Sequence, residues 1–278
     1  MPRPFVSAKE AAALLGKAVF VDARAEPGAD RAYGAGHVHG AIRADLETDL
    51  SEPRDPSDGG RHPLPPVERW LDLIGRWGIA PSTPVVVYDA SGGGMAAARA
   101  WWMLRAVGHE PVMVVDGGWD ALRRAGVPID QGEPRASDAG LGPYPTAVDR
   151  WPVVRADFVE RVRTDPTWRV IDARAPERYR GETENLDPVA GHIPGACNLY
   201  WQSQLDDEGV LDSVATLKER YADLLEGVSP DRVACYCGSG VTACHLLLTM
   251  EACGLDGAKL YVGSWSEWCR QGRPGALG

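Results

Sequence analysis

The sequence Val-Asp-Ala-Arg-Ala at residues 21–25 recurs as Ile-Asp-Ala-Arg-Ala at residues 171–175. Three further blocks recur in the same order, and paired positions in the four blocks are 146 to 155 residues apart. Gly-His-Val-His-Gly-Ala at 36–41 recurs as Gly-His-Ile-Pro-Gly-Ala at 191–196. The segment that ends at Tyr88 recurs as the segment that ends at Tyr236, and Gly118-Trp119 recurs as Ser264-Trp265. Because solenoid units are only about 20–50 residues long, this repeat predicts two domains of one fold.

The join between the copies is predicted where regular patterns give way to glycine and proline. Residues 131–152 hold three glycines and four prolines and show no sustained periodicity. We therefore expect an N-terminal domain at 1–135, a linker at 136–150 and a C-terminal domain at 151–278.

Each copy alternates short apolar runs with segments of helical length, which predicts an α/β fold. Strands are expected at 85–88, 112–115, 169–172, 233–236 and 260–262, and helices at 96–107 and 242–253, each helix followed by glycine. Strands that alternate with helices pair in parallel, so each domain should be a parallel sheet flanked by helices. Ligands of such sheets bind beyond the carboxyl ends of the strands, which directs attention to the residues after Tyr88 and Tyr236.

Composition limits the classes of partner. The formal net charge of the 278 residues is −10, which argues against a nucleic-acid binder or a membrane-surface protein. No apolar run approaches the about 20 residues of a transmembrane helix, and the amino terminus has no signal-peptide pattern. All six cysteines lie beyond residue 196, which does not suit a disulfide framework. We expect a soluble, cytoplasmic monomer with free thiols.

The two copies differ at the position that follows the repeated tyrosine. The first copy has Asp89 there, and the second has Cys237 followed by Gly-Ser-Gly-Val-Thr at 238–242. A cysteine between a strand end and a helix start meets unpaired N–H groups and the positive end of the helix dipole, which stabilise a thiolate. The glycines allow several N–H groups to face one centre. Cys237 is therefore a candidate nucleophile, with a buried structural cysteine as the alternative.

Other chemistries fit these loops poorly. A phosphatase-type Cys-x5-Arg loop needs arginine at position 243, which is alanine. The glycines at 92 and 94 superficially fit a dinucleotide fingerprint, but three residues separate them from the strand, and no Walker Gly-Lys-Ser/Thr follows. Cys235 and Cys237 lack a second pair with zinc-ligand spacing. We expect neither a cofactor nor a metal.

The tandem copies, the Asp-Ala-Arg and Gly-His-Ile-Pro-Gly-Ala blocks and the Cys-Gly-Ser-Gly-Val-Thr loop together resemble the two-domain rhodanese sulfurtransferases. The resemblance covers essentially the whole chain and implies two tandem rhodanese-like domains, of which only the second carries the catalytic cysteine. It further implies that Cys237 takes a sulfane sulfur from a small-molecule donor as a persulfide. The acceptor would be a thiol, a thioredoxin-like protein or cyanide. A non-catalytic binding or sulfur-relay module is the alternative from another class.

The resemblance also bears on the donor. Members that use thiosulfate carry basic residues directly after the cysteine, whereas Gly238 and Ser239 resemble the 3-mercaptopyruvate group. That group implies donor binding by Arg178 and by the loop residues Gly238, Ser239, Gly240, Val241 and Thr242. It usually offers a second arginine just before the Gly-His-Ile-Pro-Gly block, but residues 186–190 contain none. Thiosulfate is the alternative donor.

The family further implies a polar relay, in which Ser239 is joined by His62 and Glu47. The Asp and Arg residues of the repeated block recur in the copy without a nucleophile, so we interpret them as structural ion pairs. These residues are Asp22, Arg24, Asp172 and Arg174. His37 and His192 have the same interpretation.

Overall fold

The computed structural model describes residues 3–133 and 140–278. Strands are β1 Phe5–Val6, β2 Val19–Asp22, β3 His37–Val38, β4 Ile42–Arg43, β5 Val85–Tyr88, β6 Val112–Val115, β7 Ile129–Asp130, β8 Val153–Val154, β9 Arg169–Asp172, β10 Cys197–Asn198, β11 Val233–Tyr236 and β12 Lys259–Tyr261. Helices are α1 Ala8–Ala12, α2 Ala29–Ala35, α3 Val67–Arg76, α4 Ala96–Ala106, α5 Gly118–Arg124, α6 Ala156–Val162, α7 Pro176–Tyr179, α8 Val214–Leu225, α9 Ala243–Ala252 and α10 Ser264–Arg270, with 3-10 turns at Trp201–Gln204 and Pro230–Arg232. Within these described ranges, no helix has both the length and the apolar composition to cross a bilayer.

The two copies have the same sheet topology. In the first copy the strand order is β1-β6-β5-β2-β4, and in the second it is β8-β12-β11-β9-β10. Every pairing within both sheets is parallel. The expected α/β fold, with two parallel sheets flanked by helices, is confirmed.

The central strand of each sheet and the helix that follows it form the core of each copy. All residues of β5 and β11 are buried, because each of these strands has neighbours on both sides and helices on both faces. The predicted helices agree with α4 and α9 to within one residue at each end. The glycines that follow them, Gly108 and Gly254, have φ of +86° and +75°, as expected at the C′ position.

The buried ion pairs of the repeated block are built identically in the two copies. Nη2 of Arg24 donates to Oδ2 of Asp22 at 2.6 Å and to the carbonyl of Gly36 at 2.8 Å. Arg174 makes the same bond to Asp172 at 2.6 Å, and its Nη2 bonds the carbonyl of Gly191 at 2.8 Å. The structural interpretation of these residues is confirmed. The two histidines also make equivalent packing contacts in the two copies. His37 stacks on Tyr33 with ring centroids 3.7 Å apart, and His192 stacks on Tyr179 with ring centroids 3.8 Å apart.

The chain forms two compact units that differ from the predicted domains in two segments. Unit 1 comprises residues 1–51, 65–151 and 207–211, and unit 2 comprises residues 52–64, 152–206 and 212–278. Residues 52–64, predicted to belong to the N-terminal domain, are thus grouped with the second copy. Part of the predicted linker, residues 136–139, lies outside the described residues. The domain boundaries taken from the sequence stay a prediction.

Candidate active site

Cys237 lies directly after β11 and before α9, and it is only 2% exposed. Its Sγ accepts a hydrogen bond from the backbone N–H of Gly240 at 3.1 Å. Gly240 has φ of +77°, and a Cβ at this position would lie 2.4 Å from the carbonyl oxygen of Val262. Only glycine fits there, so the loop can curl its N–H toward the sulfur.

The first residues of α10 form hydrogen bonds with the backbone of Cys237. The N–H of Cys237 donates to Oγ of Ser264 at 3.1 Å, and the N–H of Trp265 donates to the Cys237 carbonyl at 3.0 Å. Ser264 has φ of +55°, which is rare for a residue with a side chain, and its Oγ also donates to the carbonyl of Tyr261 at 3.0 Å. The alignment of Ser264 with Gly118 in the repeat is the sequence signal for this residue, but sequence reasoning assigns it no role.

The equivalent loop of the first copy encloses a carboxyl side chain, that of Asp89. The carboxylate of Asp89 accepts four backbone N–H bonds of 2.8 to 3.1 Å, from Ser91, Gly93, Met95 and Ala97. The N–H of Trp119 donates to the Asp89 carbonyl at 2.8 Å, as Trp265 does to Cys237. This loop position therefore directs four backbone N–H groups at a carboxylate in the first copy, and these bonds oppose the burial that raises the pKa of Asp89.

His62 and Ser239 are brought together within unit 2. Nδ1 of His62 and Oγ of Ser239 lie 2.7 Å apart, although 177 positions separate them in the chain. Hydrogen bonds to the backbone of the segment that carries His62 hold it in unit 2. The N–H of Gly59 donates to Glu267 Oε1 at 2.9 Å, and the N–H of Arg61 donates to Ser266 Oγ at 3.0 Å.

The remaining predicted residues occupy different places. Glu47 belongs to unit 1, in the turn after β4, where its N–H donates to Oδ1 of Asp45 at 2.9 Å. Its part in a relay stays a prediction. Val241 is buried beside the cysteine, and Thr242 is half-buried at the N-cap of α9.

Two guanidinium groups lie over the loop glycine. A Cβ built on Gly238 would be 2.9 Å from Nη2 of Arg61 and 3.3 Å from Nη1 of Arg178. Arg178, on α7, donates from Nη2 to both oxygens of Glu184 at 2.8 Å. The structure therefore places Arg178 beside the loop, as expected, and adds Arg61, which sequence reasoning missed.

A buried carboxylate holds these arginines in place. The side chain of Asp187 is fully buried, and Arg61 donates from Nη1 to its Oδ1. Arg270 donates to the same oxygen at 2.6 Å, and Nη2 of Arg178 lies 3.5 Å from Oδ2. Ion pairs that share one buried carboxylate fix the guanidinium orientations more firmly than separate surface pairs.

Four of the other cysteines are poor nucleophiles at neutral pH. Burial raises the pKa of Cys197 to about 11, and burial also raises the pKa of Cys235, Cys253 and Cys269. These residues stay protonated thiols, whereas only a thiolate attacks sulfur efficiently.

Comparison with known proteins agrees with the fold. The family model for the rhodanese-like domain matches residues 7–125 and again residues 155–271. A Pseudomonas aeruginosa protein named "Probable 3-mercaptopyruvate sulfurtransferase" is 42% identical over 240 residues, which cover 86% of this chain and 83% of that protein. A thiosulfate sulfurtransferase of Cricetulus griseus is 33% identical over 250 residues, covering 88% of this chain and 82% of the relative.

A solved structure extends the similarity to three dimensions. The 3-mercaptopyruvate sulfurtransferase from Leishmania major superposes with a TM-score of 0.87 at 31% identity, covering 99% of this chain and 76% of that one. The two matches of the family model and these relatives lead to one conclusion: the chain belongs to the rhodanese-like family, as a sulfurtransferase with two tandem rhodanese-like domains.

Proposed function

We propose that the protein transfers sulfur from 3-mercaptopyruvate to a nucleophilic acceptor through a persulfide on Cys237. The observation that carries this proposal is the Gly240 N–H that donates to Sγ of Cys237 at 3.1 Å, in a loop whose first-copy equivalent encloses the Asp89 carboxylate. A loop that stabilises a negative charge at this point favours both a thiolate and a persulfide anion.

In the first half-reaction the Cys237 thiolate attacks the sulfur of the donor. A sulfur–sulfur bond forms and the carbon–sulfur bond of mercaptopyruvate breaks, with its electron pair passing to the pyruvate enolate. The enolate then takes up one proton and becomes pyruvate. We assign the delivery of that proton to Ser239 and His62, and the 2.7 Å distance between their Oγ and Nδ1 supports this assignment. A part for Glu47 is proposed from the family resemblance alone.

In the second half-reaction the acceptor attacks the outer sulfur of the persulfide. Cyanide gives thiocyanate, a small thiol gives its own persulfide, and a thioredoxin-like dithiol gives hydrosulfide together with a protein disulfide. In each case the Cys237 thiolate is the leaving group, and it is restored for another turnover. The Gly240 N–H that stabilises the thiolate at the start stabilises it again as it leaves.

The donor preference follows from charge and shape. Mercaptopyruvate carries a planar carboxylate, which the forked donors of an arginine match. Arg178 lies beside Gly238, where it can pair with a carboxylate. The two residues that follow Cys237, Gly238 and Ser239, are not basic. Both features favour the carboxylate donor over thiosulfate. Because relatives of both kinds resemble this chain, thiosulfate is the competing donor.

A comparison of the two donors tests this proposal. We expect kcat/KM for 3-mercaptopyruvate to exceed that for thiosulfate by at least about tenfold, equivalent to one good carboxylate contact. Intact-mass spectrometry after donor treatment without acceptor should show one added sulfur atom, located on the peptide with Cys237. A preference for thiosulfate would reverse the donor assignment. Absence of transfer from any sulfane donor would favour a binding or relay module.

The proton relay makes a separate prediction. Replacing His62 by Ala should lower kcat with mercaptopyruvate by about 10²-fold, the usual contribution of a positioned acid–base group. Ser239→Ala should have a similar effect, and the double variant should be little worse than either single one, because the two act as a unit. His39→Ala, at an exposed histidine of unit 1, is the control and should keep wild-type kcat. Additive effects of the two changes would contradict the relay.

A further inference from the structure

We infer that a cavity in the first copy is a binding site for a small monocarboxylate with an apolar body. The cavity has a volume of about 780 Å³, which is in the range typical of small-molecule sites. It is built from residues of unit 1 and bounded by α2, α5 and β7. Its lining includes Arg24, Ala32, Ala35, Trp119, Arg123 and Ile129. The inference does not depend on the proposed function.

A difference in length between the two copies accompanies the cavity. Tyr33 stacks on His37, and Tyr179 stacks on His192, so these pairs mark equivalent positions. Four positions separate the first pair and thirteen separate the second, so the second copy has nine additional residues at this point. Ala35, in the short connection of the first copy, lines the cavity. The first copy is therefore open on a side where the second copy has extra chain.

The longer connection of the second copy supplies a carboxylate that the first copy lacks. Oε2 of Glu184, in that connection, lies 3.5 Å from Nη1 of Arg174. Arg24 is the equivalent arginine, and it bonds Asp22 through the same two nitrogens, Nε and Nη2. Among the residues that the structure describes, Arg24 has no ion pair besides that with Asp22, and its Nη1 makes no hydrogen bond.

Arg24 therefore has one donor nitrogen left for a ligand. Its side chain is only 3% exposed, lines the cavity and lies over the ring of Trp119, 4.5 Å from the centroid. A carboxylate bound against Nη1 would take the place that Glu184 has beside the arginine of the second copy, in a charge-assisted contact. Arg123, which is 60% exposed, adds a second positive charge to the lining.

The rest of the lining favours an apolar body with a single charge. Ile129 is 46% exposed, and with Trp119 it gives the cavity apolar surface. Asp130 also lines the cavity, but its carboxylate is bonded to Nδ1 of His39 at 2.9 Å and to the N–H of Gly40 at 3.0 Å. This negative charge repels a second carboxylate, so a monocarboxylate fits better than a dicarboxylate.

The first experiment compares phenylacetate with phenylacetamide, which has a similar shape without the charge. Binding is followed at the indole N–H resonance of Trp119 in isotopically labelled protein, assigned by its loss in Trp119→Phe. We expect this resonance to shift with a Kd of about 1 mM for the acid, and the amide to bind at least about tenfold more weakly. Equal affinities for the acid and the amide, or no shift up to about 10 mM phenylacetate, would overturn the inference.

The second experiment assigns the binding to the cavity with variants. Ala32→Leu fills part of the cavity and should weaken phenylacetate binding by more than about tenfold. Arg123→Gln, at an exposed position, should weaken it by about threefold through the lost charge. Arg31→Gln is the matched control, because Arg31 is exposed on α2 and does not line the cavity, and it should keep the wild-type affinity. Unchanged affinity in both Ala32→Leu and Arg123→Gln, or an equal loss in Arg31→Gln, would place the acid elsewhere and refute the site.

Discussion

Replacing Cys237 by Ser is expected to lower the rate of sulfur transfer by at least about 10³-fold, whichever sulfane donor is used. A hydroxyl does not ionise at neutral pH and forms no persulfide, so the loop loses its sulfur carrier. The first copy offers no substitute, because Asp89 fills the equivalent position. Turnover assays with mercaptopyruvate and cyanide, together with intact mass after donor treatment, measure the loss.

The other cysteines provide the controls for this variant. Cys197→Ser and Cys253→Ser remove thiols whose pKa is raised by burial, and both variants should retain wild-type turnover and the added sulfur atom. Full activity of Cys237→Ser would show that the assignment of the nucleophile is wrong. If a control variant, and not Cys237→Ser, failed to gain the sulfur atom, the cysteine replaced in that control would be the sulfur carrier.

Replacing Asp172 by Asn should destabilise unit 2 by about 3 kcal/mol, at the lower end of the cost of breaking a buried ion pair. The change leaves the guanidinium of Arg174 buried without its main partner, and the groups that remain include Glu184 at 3.5 Å and the carbonyl of Gly191 at 2.8 Å. Burial alone would lower the pKa of Arg174, but the charge and hydrogen bonds of Asp172 outweigh it and raise that pKa, so the arginine stays charged. Urea unfolding followed by tryptophan fluorescence measures the loss.

The repeat supplies a matched comparison for the ion pair. Asp22→Asn breaks the same geometry in unit 1 and should destabilise that unit by at least as much. Glu182→Gln, which breaks an exposed pair with Arg180, should leave the unfolding midpoint nearly unchanged. If Asp172→Asn unfolded at the wild-type urea concentration, the ion pair would not have the structural role assigned to it.

Much of the fold could be predicted because it depends on local and repeated signals. Strands β5 and β11 agree with the predicted runs residue for residue, since short continuous apolar runs bounded by turn residues are typical of buried parallel strands. The last strand was predicted at 260–262 and lies at Lys259–Tyr261, a shift of one residue. Strand ends shift easily because their last residues depend on the neighbouring strand more than on their own side chains.

The candidate site could be predicted only in part. The loop after β11 is continuous in sequence, so its cysteine, glycines and serine indicate their chemistry without a structure. Ser264 was not recognised, because its positive φ and its bond to the Cys237 N–H arise only when α10 packs beneath the loop. Arg61 was not recognised either, because nothing in Arg61-His62-Pro63 distinguishes it from an exposed loop.

The sequence by itself determined the repeat, the fold of each copy and the division between a copy with Asp89 and a copy with Cys237. These depend on hydrophobic patterns and on residue types within a few positions of one another. Only the tertiary structure decided which distant groups surround the sulfur. Residues 52–64 pack with the second copy through bonds that span more than 170 positions, and so bring His62 and Arg61 to the loop. No local pattern encodes that placement, because the energy that fixes it comes from contacts formed only in the folded chain.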